Sequence, residues 1–190
     1  MSAVLRYCLL LLVLLFLTHP LKSDDENKLF NAINNYRVTS NVPALIKNKN
    51  AECLADEIAE QLEDQPCIAP IGVKAAPAVE TQFSNYPKPM TKCGLNLTST
   101  RDGLIMPACF PDDHDDTSMV ISSFVSSRYS RFLNATNFTG AGVGKEGDWV
   151  VVVLSTSTPM GNFESNNAVV AIIGLIPVLL CLFVAFALPS

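Results

Sequence analysis

Trp149-Val-Val-Val-Val-Leu154 is apolar at every position. Successive side chains of a strand point to opposite faces of its sheet, so a strand with one wet face alternates polar and apolar residues. A run without alternation has to be covered on both sides. The stretch therefore predicts a sheet held between two layers, and it sets the fold class as α+β. The expected architecture is a compact α/β/α sandwich with a small, mainly antiparallel sheet.

Immediately upstream, Lys145-Glu-Gly-Asp148 has the composition of a tight turn, and Thr139 to Gly144 reads as a second strand. Strands 139–144 and 148–157 then form a hairpin. The covering layers must come from the rest of the chain. Residues 24–37, DDENKLFNAINNYR, space Leu29, Phe30, Ile33 and Tyr36/Arg37 at helical intervals. Asp24, Asp25 and Glu26 stand at the end where a helix dipole favours negative charge. After a break at Pro43, Ala51 to Asp64 predicts a second helix with Asn50 as its N-cap. Leu54, Ile58 and Leu62, with Ala55 and Ala59, make its apolar stripe; Glu52, Asp56, Glu57, Glu60 and Glu63 make its wet face. Residues 66–92, rich in Pro and Ala, read as a long loop, and the stretch Gly103 to Cys109 as holding a short strand. Ser118 to Ser130 reads as a helix with Ile121, Phe124, Val125 and Tyr129 turned inward.

The two ends differ in kind from this middle. The 190 residues are 49% hydrophobic and 16% charged, but the apolar residues crowd the termini. Arg6 followed by an unbroken apolar run from Cys8 to Leu17 is the layout of a secretory signal peptide, with cleavage expected after Ser23. That run is shorter than the roughly 20 residues a membrane span needs. From Ala168 to Leu188 there is no charge, and nothing basic follows. Small polar residues, Ser165, Asn166 and Asn167, stand just before this run. That arrangement is a glycosylphosphatidylinositol (GPI) attachment signal, with residues 166–190 removed and the lipid on Ser165 or, next, Asn166. The expected mature domain is 24–165, on the outer face of the cell membrane. Without Arg6 and Lys22 the 13 basic residues become 11 against 18 acidic ones, a net charge of −7. Nucleic acid and anionic membrane surfaces are thereby disfavoured as partners.

Cys8 and Cys181 lie in the two end segments, which leaves Cys53, Cys67, Cys93 and Cys109. In an oxidising compartment four thiols predict two disulfides. Cys53 and Cys67 fall at opposite ends of one predicted helix, roughly 16 Å apart along its axis, whereas bridged Cα atoms lie within about 7 Å. The pairings 53–109 with 67–93, and 53–93 with 67–109, both stay open. Three sequons, Asn96-Leu-Thr, Asn134-Ala-Thr and Asn137-Phe-Thr, are expected N-glycan sites on exposed loops or turns.

Three stretches, LFNAINNYRVTSNVPALIKNKNAECLADEIAEQLEDQPC (29–67), TRDGLIMPAC (100–109) and FTGAGVGKEGDWVVVVLSTSTPMGNF (138–163), closely resemble a plant family of uncharacterised GPI-anchored membrane proteins. That resemblance implies the anchor and the plasma membrane and supplies no activity. Asn34-Asn-Tyr-Arg37 with Val42-Pro-Ala-Leu45, Ser127 to Asn134, and Gly140-Ala-Gly-Val-Gly144 with the Trp149 strand are more distantly similar to the CAP superfamily (cysteine-rich secretory, antigen 5 and pathogenesis-related proteins). This second resemblance implies an α/β/α sandwich. CAP proteins place two histidines and acidic residues in a central cleft; here those histidine positions are filled otherwise, and Tyr129 stands near one of them.

The mature domain has one histidine, His114, within Pro111-Asp-Asp-His-Asp-Asp116. Asp112 to Asp116 with His114 could serve as a cation site or an acid–base pair, but a solvated acidic loop capping the next helix explains the composition more simply. No GxSxG, P-loop or HExxH pattern occurs. Glu57 and Glu60 fit a solubilising helix face. The expectation is therefore no catalytic residue, metal or cofactor. The chain is read as a non-catalytic binding module for an extracellular ligand or receptor; the alternative is a CAP-like or hydrolase activity at the His114 loop.

Overall fold

The computed structural model describes residues 24–67, 87–110 and 117–165, all within one compact unit. In chain order the elements are α1 (Asp24–Thr39), β1 (Ile46–Lys47), α2 (Lys49–Glu63), α3 (Pro87–Lys92), α4 (Leu97–Thr100), β2 (Leu104–Cys109), α5 (Thr117–Ser126), α6 (Ser130–Leu133), β3 (Phe138–Glu146) and β4 (Trp149–Thr156). The expected signal peptide 1–23, the expected removed tail 166–190 with Asn166, and the acidic stretch 111–116 with His114 lie outside the described residues. So does 68–86.

The sheet order is β1-β3-β4-β2, with β1 parallel to β3 and the other pairs antiparallel. Its register defines two ends. At one, Phe138 pairs with Thr156, Leu104 with Leu154 and Ile46 with Gly140; at the other, Trp149 lies between Glu146 and Cys109.

β4 is covered on both faces, as its composition demands. Val150, Val152 and Leu154 join a core with Leu29 and Ile33 of α1, Val120 and Phe124 of α5 and Leu133 of α6. Val151 and Val153 join a second core with Leu54, Ala55 and Ile58 of α2 and Met90 of α3. Each such valine contributes about 1.5–3 kcal/mol by leaving water. The α/β/α sandwich follows from that two-sided burial.

On the α2 side the approach is limited by backbone. A Cβ added at Gly142 would lie 2.0 Å from the amide nitrogen of Glu52, and one at Gly144 would lie 2.4 Å from that of Asp56. The alternate glycines of β3 thus seat α2 directly on the strand, while Ala141 and Val143 face the other core.

Several local expectations are corrected. The N-cap of α2 is Asn48, not Asn50. Asn48 leaves β1 with extended backbone (φ −109°, ψ 108°), and its Oδ1 accepts from the amides of Asn50 and Ala51. Asn50 falls inside the first turn, and its Nδ2 donates to the Phe163 carbonyl at 2.7 Å. Glu52, expected on the wet face, is buried, because the first turn of α2 lies against β3; Lys47 pairs with it at 2.9 Å. Glu57 and Glu60 both meet Lys92 of α3, at 2.6 and 3.6 Å. They help hold α3 rather than merely solubilise α2. The stretch read as a loop over 66–92 therefore contains a helix at its end.

The predicted helix 118–130 ends early: α5 stops at Ser126, and after a turn α6 begins at Ser130. The Ser127 hydroxyl donates to the Phe124 carbonyl and accepts from the Tyr129 amide. A side chain replaces helical bonding there and the helix turns. Phe124 and Tyr129 are buried as expected, Ile121 and Val125 are half-buried, and Val120 is the additional inward residue.

The disulfides are Cys53–Cys93 (Cα–Cα 5.8 Å) and Cys67–Cys109 (5.6 Å), the second of the two open pairings. They hold α2 at its first turn and just beyond its last.

Candidate functional site

A concave feature of the described surface lies where α1 and α5 begin. Asp25, Glu26 and Leu29 come from α1, Thr117 and Val120 from α5, and Val143, Lys145 and Val150 from the hairpin. They line a shallow, open recess with about 20 Å³ of room for water-sized molecules. Leu29, Val120, Val143 and Val150, all buried members of the core, form its apolar lining. Asp25, Glu26 and Lys145 supply its charge.

Those charges are fixed by neighbours. Lys28 Nζ donates to Asp25 Oδ1 at 2.9 Å, and this bond, with the charge of Lys28 and a smaller contribution from Lys145, holds the Asp25 carboxyl below the usual aspartate range. Glu26 Oε1 accepts from the backbone amide of Lys145 at 3.4 Å, so α1 meets the β3 edge at this point. A carboxylate held below its ordinary pKa stays ionised at neutral pH and has no proton to give. The recess offers an apolar floor and a set of fixed charges. Among the described residues no cluster of three or more His, Cys, Asp or Glu side chains is arranged to hold a metal ion.

The residues singled out in the sequence do not converge on the recess. Tyr129 is a core residue, with its ring 5.7 Å from that of Phe124 and its hydroxyl donating to the Pro107 carbonyl at 3.0 Å. Burial raises its pKa. Asn96 caps α4, its Oδ1 accepting from the Ser99 amide at 2.9 Å. Asn134 and Asn137 are exposed on the segment entering β3, and Asn134 Nδ2 donates to the Tyr36 hydroxyl at 2.8 Å. All three sequons lie toward the Phe138–Thr156 end of the sheet. The recess lies toward the other end, about 20 Å away along β4 at the usual rise per strand residue.

Two residues whose contacts the sequence does not show organise the sequon-bearing end. Arg37 is 1% exposed. Its guanidinium donates to the carbonyls of Pro43 (2.8 Å), Leu133 (2.6 Å), Ala135 (3.1 Å) and Phe138 (3.1 Å). It thereby fixes the whole 133–138 segment to the end of α1, and burial lowers its pKa. Phe163 is also 1% exposed, with a left-handed backbone at φ 59°. Its amide donates to the Ser99 carbonyl at 3.0 Å and its carbonyl accepts from Asn50. Ser165 follows two residues later and is half-buried.

A family model described as "Uncharacterized GPI-anchored protein At5g19230-like domain" matches residues 26–154. The Arabidopsis thaliana protein "Uncharacterized GPI-anchored protein At3g06035" is 49% identical over 159 residues, covering 83% of this chain and 78% of that one. Among solved structures, an extracellular protein containing an SCP domain from Bacillus anthracis str. Ames superposes with a TM-score of 0.53 at 15% identity. That match spans 72% of this chain but only 44% of the bacterial one. An outer surface protein from Borrelia burgdorferi superposes with a TM-score of 0.50 at 19% identity, over 70% of this chain and 92% of that one. At these identities the likeness is one of fold: the CAP-like sandwich.

Proposed function

The chain belongs to the family of uncharacterised GPI-anchored proteins, and from that premise we propose that it is a lipid-anchored cell-surface binding module rather than an enzyme. The observation that carries this reading is the recess between the starts of α1 and α5, where Leu29, Val120, Val143 and Val150 stand beside the charged side chains of Asp25, Glu26 and Lys145. Fixed charge around an apolar floor suits recognition; a proton-transfer site needs a group that titrates near the working pH. We assign the lipid to Ser165 and N-glycans to Asn96, Asn134 and Asn137. That arrangement puts the anchor and the sugars at one end of the sheet and the recess at the other, open to an extracellular partner.

The test uses the secreted domain 24–165 as a probe on the surface of cells that express the full chain. Thr117→Arg, which fills the recess from the start of α5, is expected to lower binding at least tenfold, while His114→Ala leaves it unchanged. Wild-type binding by Thr117→Arg would remove the recess from the reading. Loss of null-complementation by His114→Ala alone would favour the catalytic alternative.

A further inference from the structure

Among the described residues five large hydrophobic side chains are exposed: Val38, Ile46, Leu97, Met119 and Met160. Isolated exposed apolar residues are ordinary and carry no meaning singly. Their distribution here is lopsided. Val38 follows Arg37, whose guanidinium binds the Phe138 carbonyl; Ile46 pairs with Gly140; Leu97 begins α4, whose Ser99 carbonyl accepts from Phe163; and the Met160 carbonyl accepts from the Asp102 amide at 2.8 Å. Four of the five therefore surround the end of the sheet marked by Phe138 and Thr156, with the exposed cations Lys49 and Arg101 and the carboxylates of Asp102 and Glu164 among them.

The chain leaves the domain at the same place. Besides the two backbone bonds of Phe163, the Asn162 carbonyl accepts from Asn48 Nδ2 at 2.9 Å and its Oδ1 accepts from the Glu164 amide at 3.0 Å. The backbone is thus held as far as Glu164. From Phe163 to Ser165 is two residues, at most about 7 Å of extended chain. No slack of the protein's own separates this end from its anchor point.

We propose that this end of the sandwich is a lipid-facing surface, with Leu97 and Met160 meeting the phospholipid headgroup layer, Lys49 and Arg101 meeting its phosphates, and the sugar on Asn96, next to Leu97, directed sideways along the membrane. The proposal rests on the reading that Ser165 carries the lipid. Apolar side chains at an interface partition into the boundary between headgroups and acyl chains, and cations beside them gain from lipid phosphate. The exit point selects which end is held near the bilayer; the exposed side chains are what that end presents to it.

The test compares amide hydrogen exchange in the glycosylated, full anchored protein in phosphatidylcholine vesicles before and after release by phosphatidylinositol-specific phospholipase C. Anchored protein should exchange at least about fivefold more slowly over 97–102 and 158–164, because contact suppresses local opening. Residues 143–150 should not change. Leu97→Glu with Met160→Glu, both at exposed positions, should abolish the difference while leaving the rest of the exchange pattern intact. If the phospholipase releases nothing, the anchor reading fails. If it releases the protein and exchange over both segments is unaltered, the lipid-facing surface alone is overturned. Protection that appears only after enzymatic removal of the N-glycans, or only on cells and never on vesicles, overturns it equally, the former assigning this end to its sugars and the latter to a protein partner.

Discussion

The ring of Phe163 occupies the space a side chain on Gly103 would need: a Cβ built there lies 2.3 Å from the ring edge. Phe163 cannot back away, since its amide and carbonyl are both bonded and its φ of 59° is already an uncommon one for a residue with a side chain. Gly103→Ala is therefore expected to destabilise the secreted domain by about 1–3 kcal/mol, the usual cost of overpacking. Urea denaturation measures it, and an unchanged midpoint would contradict the clamp.

Arg37 should resist its most conservative replacement. Lysine keeps the charge but offers one nitrogen, whereas the planar guanidinium reaches four carbonyls on two segments. Arg37→Lys is expected to destabilise by roughly 2–4 kcal/mol, since buried acceptors are left unpaired at about 1–3 kcal/mol each. Exchange of the 133–138 amides should accelerate more than that of β4. Uniform acceleration across both would argue against a local clamp.

Alkaline pH should expose the buried phenol. Burial raises the Tyr129 pKa above its ordinary 10.0, so the folded state favours the neutral form more than the unfolded state does. Stability from this source is complete below pH 10 and declines as pH rises toward the folded-state value. Tyr129→Phe should lose about 0.5–1.5 kcal/mol at neutral pH with the Pro107 hydrogen bond, and should show a shallower decline above pH 10. Parallel pH profiles for the two proteins would refute it.

At the acid end the Asp25 carboxylate acts in the opposite sense. Its pKa is lowered by Lys28, so its contribution is present above pH 3.8 and lost as pH falls through the folded-state value. The pair is exposed, and salt screens it. Asp25→Asn is expected to remove a small, salt-sensitive part of the acid transition; an acid profile identical to wild type at low ionic strength would count against the pairing.

Loss of either disulfide should cost about 2–5 kcal/mol. Peptide mapping under non-reducing conditions should recover Cys53 with Cys93 and Cys67 with Cys109. Any 53–109 peptide would contradict the pairing in the structure.

The layers of this fold were legible because they are written locally. Val150 to Leu154 sit side by side, and their two-sided burial needs no partner to be identified. The stripe Leu54, Ala55, Ile58 and Ala59 is equally local. Asn48 and Asn50 were not separable by composition; the pairing of β1 with β3 decides between them by leaving Asn48 in extended backbone. Arg37 and Phe163 were illegible for a different reason. The farther acceptors of Arg37 lie 96 to 101 positions away, and Phe163 is held by α2, α4 and Gly103. The recess is assembled from α1, α5 and the hairpin, and none of its residue types is unusual where it stands.

The two disulfides together have a consequence for turnover at the cell surface. Cys53 and Cys67 both precede the segment 68–86, and Cys93 and Cys109 both follow it. A protease that cuts once anywhere between Cys67 and Cys93 yields an amino-terminal piece and a carboxy-terminal piece that share two covalent bonds. With the lipid on Ser165 as proposed, the carboxy-terminal piece would keep hold of the other, so such a nick would shed nothing until a reductant arrived.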